Sequence, residues 1–504
     1  MIEERVNRQS RGLQERLESE RDSFVSSVYL LLALTVIQKA LGFVRSIIVC
    51  RTLSPEQMGI WSMTLTFMAT FMPFLMLSIP ACFGRYFEQF EQRSQLKTFV
   101  RQSLGLMAIV FPLGMLVIAV LSREMATFIY GSSDFQYLVL LSLLFAIPFA
   151  CFGICESMLT ALRKSKPKTI GDFLNGLCFT LFAIGLIFLR SPTAISICLA
   201  FAAAYTVATG YAYWQLHQTY RSISGQHESL PFVPTWRRLA PVIALFWLSD
   251  FVVNLFFAVD RYMIVGLSPE KFGPTLDQVG NYESAHIMPL LLSSVTGIVA
   301  RILLPYLSRD WENGDRLRVG LKVTLSVKVA ALVLIFGSLA FFAISDLMFE
   351  GLFQNKYGLG KTILPYVVFF YVGNGLAFLI MNYFWCCEKG AYGTVALLVG
   401  LVVNVAANAL LIPGCGISGA ALGTAFAVVA QFGCLYGLAV RFGLRFDFRV
   451  VLVMILSGGL LLGEEWTVPL LIVATVQALF FTFRRDERRL LHATILGNTS
   501  IRRN

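Results

Sequence analysis

Charge is scarce in this 504-residue chain: only 14% of its residues are Asp, Glu, Lys or Arg, against about 25% in an average soluble protein. That scarcity excludes an ordinary water-soluble domain as a reading of the whole. Histidine is scarcer still, with four residues too widely spaced to form a metal cluster. The ten cysteines include no Cys-x-x-Cys pair and lie almost all within apolar runs. They read as small buried hydrophobes rather than zinc ligands or a disulfide framework. No Gly-x-x-x-x-Gly-Lys, Gly-x-Ser-x-Gly or His-Glu-x-x-His pattern occurs, which argues against ATP as the energy source and against common hydrolase and metalloprotease chemistry. No loop between apolar runs exceeds about 25 residues, leaving little room for a catalytic domain outside a bilayer. The expectation is a protein that is not an enzyme.

What the chain has instead is hydrocarbon. Hydrophobic residues make up 57% of it and the mean hydropathy is +0.70. Apolar runs long enough to cross a bilayer recur from end to end, giving an all-α polytopic membrane protein with about 14 transmembrane helices. Six spans are expected in residues 24–214: Phe24–Cys50, Gln57–Cys82, Val100–Leu121, Gln136–Leu162, Ile170–Leu189 and Pro192–Trp214. Six more fall in 239–440: Leu239–Gly266, Val279–Tyr306, Val319–Ala343, Thr362–Cys386, Ala391–Pro413 and Gly416–Val440. A linker, 215–238, separates the two sets. Two extra spans follow in 441–483, Val450–Gly463 and Trp466–Phe483, the first of them short and glycine-bearing. The charged stretch 1–23, which lacks a cleavable-signal pattern, and the tail 484–504 are expected to be cytoplasmic.

The net charge of +11 belongs to topology rather than to nucleic acid. With the amino terminus inside and alternate loops on opposite sides, the inner loops and tails hold roughly 30 Lys and Arg against about 6 outside. Arg163-Lys164-Ser165-Lys166-Pro167-Lys168 is the densest inner cluster, and Arg237-Arg238 and Arg484-Arg485 fall on the same side. This predicts a cytoplasmic-membrane protein with both termini, and the linker, in the cytoplasm.

An internal repeat supports two similar halves. Leu53-Ser54-Pro55-Glu56 and Leu267-Ser268-Pro269-Glu270 each follow an apolar span carrying Arg, with a glycine three residues on, and lie 214 positions apart. An even number of spans between them puts both turns outside and makes the halves parallel repeats.

Polar residues within spans are the functional candidates, because a charge at the bilayer centre costs roughly 2.5–3.5 kcal/mol on insertion scales. The set is Lys39, Arg45, Glu156, Asp172, Asp250, Asp260, Arg261, Glu283, His286, Arg301 and Lys328. Gln38, Gly42 and Arg45 share one helix face; Asp250, Asn254, Phe257 and Arg261 share another. Asp172, Arg301 and Lys328 lie near span ends and read as structural locks or snorkelling groups. Arg85 and Glu88 read as a boundary ion pair. Arg45 and Asp250, deep in their spans, read as functional, and Arg suits a diphosphate through paired charge-assisted hydrogen bonds. Further on, Asn404 and Asn408 lie one turn apart, and Gly419 and Gly423 form a small-xxx-small face for close helix packing. Together with Asp250 and Thr424 the two Asn make an oxygen-bearing set in spans seven, eleven and twelve, which the Ala420 carbonyl can complete. It suits Na+; proton carriage by Asp250, or a hydrogen-bond cluster without an ion, stays open.

Leu41-Gly42-Phe43-Val44-Arg45, the Ser54-Pro55-Glu56-x-x-Gly59 turn, Gly280-Asn281-Tyr282, Leu304-Pro305-Tyr306-Leu307-Ser308, and Asn404-x-x-x-Asn408-x-x-Leu411-Ile412-Pro413-x-x-Gly416-Ile417-x-Gly419-Ala420-Ala421 occur in this order. From about residue 25 to 440 the chain resembles the polysaccharide-transporter and lipid-flippase branch of the multidrug/oligosaccharidyl-lipid/polysaccharide exporter superfamily, which includes the O-antigen and lipid II flippases. The resemblance implies two six-helix lobes in a V around a central cavity, as in MATE transporters, with two extra carboxy-terminal helices. It implies alternating-access flipping of an undecaprenyl-diphosphate-linked saccharide, in a membrane shared with a polymerase or glycosyltransferases. Lys39, Arg45, Arg261, Asn254 and His286 are then the substrate-binding candidates. Asp250, Asn404, Asn408, Ala420 and Thr424 are the ion-coupling candidates, resembling the lipid II flippase's sodium site except that Asn408 stands where that pattern has a second Asp. No cofactor beyond a coupling Na+ or H+ is implied. A cation-coupled multidrug exporter and a glycolipid-binding scaffold without transport are the alternatives.

Overall fold

The computed structural model describes residues 33–222, 229–480 and 482–483. The expected cytoplasmic segment 1–23, the tail 484–504 and the first residues of the first span lie outside the described residues, as do 223–228 of the linker. Among the described residues the secondary structure is helical throughout, with no strand. Twelve helices among the described residues are long and apolar enough to cross a membrane, and two shorter apolar helices follow.

In the first half α1 spans Ala33–Thr52, α2 Pro55–Met76, α3 Ile79–Gln92, α4 Leu96–Val120, α5 Ser122–Tyr130, α6 Gln136–Ala161, α7 Ser165–Leu189 and α8 Ala194–Ser222. In the second half α9 spans Phe232–Leu267, α10 Thr275–His286, α11 Leu290–Glu312, α12 Arg316–Ala343, α13 Gly358–Cys386, α14 Ala391–Cys415 and α15 Ile417–Arg441; α16 Phe448–Gly458 and α17 Thr467–Phe480 close the chain. Each Leu-Ser-Pro-Glu passage begins at or just past the carboxyl end of the first helix of its half.

Three differences from the sequence expectation have local causes. The second span is two helices, broken at Leu77 and Ser78, whose φ values are 49° and 47°; Pro80 opens α3, and its ring cannot continue an α-helix from the preceding turn. The eighth span likewise breaks between α10 and α11, at Ile287–Pro289. The linker is shorter than expected, because α8 runs on to Ser222 and α9 begins at Phe232. With 36 residues, α9 is about 54 Å long, well beyond the hydrocarbon thickness of about 30 Å.

The chain divides into two compact units. One holds the residues up to Ile48, Phe74–Leu116 and Leu141–Phe246; the other holds Val49–Pro73, Val117–Leu140 and everything from Trp247. The division therefore cuts α1, α2, α4, α6 and α9 rather than falling in the linker.

In the first unit Gln102 of α4 ties down the approach to α9, donating to the Leu230 carbonyl at 2.8 Å and accepting from the Trp236 indole at 3.2 Å. Arg163 pairs with Glu88 at 2.9 Å on the exposed surface; the partner of Glu88 is thus Arg163, not Arg85. In the second unit α13 is the central helix, with 78% of its apolar window buried. The α14–α15 pair packs at backbone contact: a Cβ on Gly419 would strike the Leu411 carbonyl, and one on Gly423 the Asn408 amide. Lys328 is fully buried and pairs with Asp447 at 2.6 Å, which makes it the structural lock its position suggests. Asp447 also accepts from Arg449 N at 3.0 Å, capping α16. All ten cysteines are free; Cys151 and Cys415 are exposed on apolar helices rather than buried.

Candidate functional site

The second unit contains a buried polar cluster built by four helices. Asp260 comes from α9, Tyr282 from α10, Asn404 and Asn408 from α14, and Ala420 and Thr424 from α15; Asp260 is 3% exposed and both Asn are fully buried. One carboxylate oxygen of Asp260 accepts from the Asn408 amide at 2.7 Å. The other accepts from the Thr424 hydroxyl and the Tyr282 hydroxyl, each at 2.8 Å. Asn408 also donates to Asn404 Oδ1 at 2.5 Å, and Thr424 lies 2.9 Å from the Ala420 carbonyl.

The carboxylate of this cluster is Asp260, which corrects the expectation of Asp250. Ten residues separate the two, roughly 15 Å along the helix and about 80° round it. Asp250 is exposed, and the Asn254 amide turns back to its carbonyl at 2.8 Å. The stripe through Asp250, Asn254 and Arg261 is a real helix face, but the α14–α15 pair packs against the neighbouring one.

The cluster fits a small cation or a proton. A buried carboxylate needs a compensating charge or proton, and Asp260 has three hydrogen-bond donors and no salt-bridge partner among the described residues. The adjacent Arg261 is engaged elsewhere. Asn408 Oδ1 and Asn404 Nδ2 are buried without partners. Rotating both amides would aim Asn408 Oδ1 toward the carboxylate, beside the Thr424 and Ala420 oxygens, and make a shell of hard oxygen ligands suited to an alkali cation.

Arg261 belongs to a second network. Its guanidinium donates to Glu283 of α10 at 2.6 and 3.0 Å and to the Ser62 hydroxyl of α2 at 3.1 Å. Ser62 in turn donates to Glu283 at 2.8 Å. As a phosphate contact, Arg261 would first have to give up this carboxylate. Beside the network α2 and α10 cross at backbone contact: a Cβ on Gly59 would collide with the Leu276 carbonyl, and one on Gly280 with the Pro55 carbonyl. Lys356 donates to the Arg51 carbonyl at 2.5 Å and Tyr357 to the Leu53 carbonyl at 3.2 Å, adding two bonds between the sequence halves. His286 is buried, its Nδ1 3.2 Å from the Tyr371 hydroxyl and its ring 4.6 Å from that of Tyr282.

In the first unit the Arg45 guanidinium lies 4.0 Å above the Phe179 ring of α7, a cation–π arrangement that keeps a charge within an apolar helix. Gln38, one face-step away on α1, donates to the Asp172 carbonyl at 2.9 Å. Lys168 bridges Glu156 at 2.6 Å and Asp172 at 3.0 Å, so the two carboxylates share one ammonium. Lys39 is exposed on α1.

A family model described as polysaccharide biosynthesis protein matches residues 24–311. No curated protein sequence matches the chain. Among solved structures, the fold is similar to that of the lipid II flippase MurJ in an inward closed conformation, with a TM-score of 0.69 at 12% identity over 93% of this chain and 99% of that one. It is also similar to a multidrug resistance MATE family transporter of the MOP superfamily. In the inward-facing state the TM-score is 0.55 at 12% identity, covering 80% of this chain and 95% of that one. In the outward-facing state it is again 0.55 at 12%, covering 85% and 96%.

Proposed function

The chain belongs to the polysaccharide biosynthesis protein family, and on that premise we propose that it is an ion-coupled flippase for a lipid-linked saccharide. The observation that carries transport, rather than scaffolding, is the Asp260 cluster. A carboxylate at 3% exposure that, among the described residues, has three hydrogen-bond donors but no salt-bridge partner carries a charge that a bound cation or proton would offset.

The substrate follows from chemistry. A diphosphate and its sugars cannot cross hydrocarbon unaided, whereas a polyprenyl tail can stay in lipid. Arg45 is the proposed phosphate contact: its planar fork matches phosphate oxygens, and Phe179 holds it at 4.0 Å without taking up its charge. The saccharide carrier is then an undecaprenyl diphosphate, the membrane is the bacterial cytoplasmic one with both termini inside, and the supplier or consumer is a glycosyltransferase or polymerase.

Alternating access requires residues 24–214 and 239–440 to part on one side of the membrane and then on the other. The Ser62–Glu283 and Ser62–Arg261 bonds and the Gly59–Gly280 crossing join the halves beside the two Leu-Ser-Pro-Glu turns. Opening that side breaks these bonds to charged groups, each worth a net of about 1.5–3 kcal/mol. Tyr282 and Glu283 are neighbours on α10, one bonded to Asp260 and the other to Ser62 and Arg261. A bound cation or proton neutralises Asp260. Asp260 then competes less for the Tyr282 hydroxyl, and α10 carries that change to the Ser62 contact. Reconstituted vesicles containing a fluorescent lipid-linked saccharide test the reading. Wild type moves the lipid between leaflets and Asp260→Asn does not; equal flipping by both, or no flipping by either, removes it.

A further inference from the structure

Helices α11 and α12 leave between them a half-open groove of about 460 Å³ that neither the Asp260 cluster nor the Ser62 contact uses. Its walls include Val295, Val299 and Leu303 of α11 and Leu325, Val329 and Val333 of α12. Three polar residues of the lining are engaged within the protein. The Thr296 hydroxyl donates to the Ser293 carbonyl at 2.9 Å, the Ser326 hydroxyl to the Val323 carbonyl at 2.8 Å, and Lys322 to Asp310 at 2.5 Å. The groove therefore presents hydrocarbon to whatever occupies it. At about 30 Å³ for each water-sized group, it has room for roughly fifteen methylenes.

One end of the groove is basic. Tyr306, 60% exposed, and Lys322 stand there beside the turn that joins α11 to α12. The stretch from 301 to 322 carries five basic residues (Arg301, Arg309, Arg316, Arg318 and Lys322) against three acidic ones. Lys322 and Arg318 are paired with Asp310 and Asp315. Arg316 lies 5.0 Å over the Trp311 ring, and Arg309 is exposed with no ion pair among the described residues.

We propose that this groove holds one acyl chain of an anionic phospholipid, with the headgroup phosphate over the α11–α12 turn at Arg309 and Arg316. Volume selects the chain: one common acyl chain fills the groove, whereas a polyprenyl chain with several times as many carbons would leave most of its length outside. Charge selects the headgroup, because basic residues at a membrane surface favour anionic over zwitterionic lipid. The site is separate from the Asp260 cluster and does not depend on the flippase reading.

Native mass spectrometry of the full chain tests it, after equilibration with equal amounts of phosphatidylglycerol, phosphatidylcholine and undecaprenyl phosphate. The expected result is one retained phosphatidylglycerol. Val329→Trp, which fills the groove, should abolish retention. The exposed pair Arg309→Gln and Arg316→Gln should lower the preference for phosphatidylglycerol over phosphatidylcholine by about fivefold per charge removed. Should Val329→Trp fail to fold, Val333→Phe at the rim, 51% exposed, narrows the same groove. Retention unchanged in the groove-filling variant, equal retention of the two phospholipids, or displacement of phosphatidylglycerol by undecaprenyl phosphate would each overturn the proposal.

Discussion

Asp260 and Arg261 are adjacent in sequence, yet they point about 100° apart round α9 and serve different networks. Asp260 accepts from Asn408, Thr424 and Tyr282, while Arg261 is paired with Glu283 at 2.6 Å. The arginine's ion pair is thus with Glu283 rather than with its neighbour. On the proposed reading the Asp260 carboxylate is the one a cation or proton occupies, and the two aspartates of α9 have different fates on mutation. Asp260→Asn should abolish transport while the protein still folds, because the amide keeps much of the hydrogen bonding. Asp250→Asn, on an exposed site, should keep most of the activity. Flipping rates with matched membrane yields check both.

The crossing at Gly59 and Gly280 makes a steric prediction. Gly59→Val places carbon against the Leu276 carbonyl, and overpacking of this kind costs about 1–3 kcal/mol. The closed arrangement of α2 on α10 should lose population. In a background without native cysteines, a cysteine at Asn281, 6% exposed here, should react with a membrane-impermeant thiol reagent faster in Gly59→Val than in its absence. An unchanged labelling rate would mean that the crossing does not hold this side shut.

Arg45→Ala should reduce flipping severely without lowering membrane yield. Arg45→Lys should restore only part of it, since a point charge lacks the two-pronged fit to phosphate and stacks less well on Phe179. Full activity of the alanine variant would remove Arg45 from the substrate path.

Lys328→Met should destabilise the protein by about 3–5 kcal/mol, because it removes one partner of a buried ion pair. Asp447→Leu in addition should recover part of the loss, but not the α16 cap that Asp447 supplies to Arg449. Thermal unfolding of the detergent-solubilised protein reads the order: wild type, double variant, single variant. A neutral single variant would show that the pair contributes nothing to holding α12 against α16.

Much of the fold was legible because bilayer spans are the strongest pattern a sequence carries: runs such as Leu96–Val120 and Ala391–Cys415 announce themselves by composition. The breaks at Leu77–Ser78 and Ile287–Pro289 were less so, although Pro80 and Pro289 marked both. Helical spacing paired Asn404 with Asn408, oxygen-bearing side chains within spans added Thr424 and Asp250, and the structure brings the two Asn and Thr424 together around Asp260. The aspartate chosen was the wrong one of α9, because depth in a span and helix-face arithmetic cannot say which face the next helix covers. The pairing of Arg261 with Glu283 and Ser62 was hidden for the same reason: partners 22 and 199 positions away leave no local pattern.

The central claim is that Asp260 couples an ion to the movement of a lipid-linked saccharide. Its most direct test is flipping in sealed vesicles with and without an imposed sodium gradient, and with and without a pH gradient, in wild type and in Asp260→Asn. Wild type should be accelerated by one of the two gradients and Asp260→Asn by neither. Sodium dependence assigns the cluster to Na+, and pH dependence alone makes the Asp260 carboxyl a proton carrier. Wild-type flipping indifferent to both gradients, or a gradient response that survives in Asp260→Asn, would contradict the account.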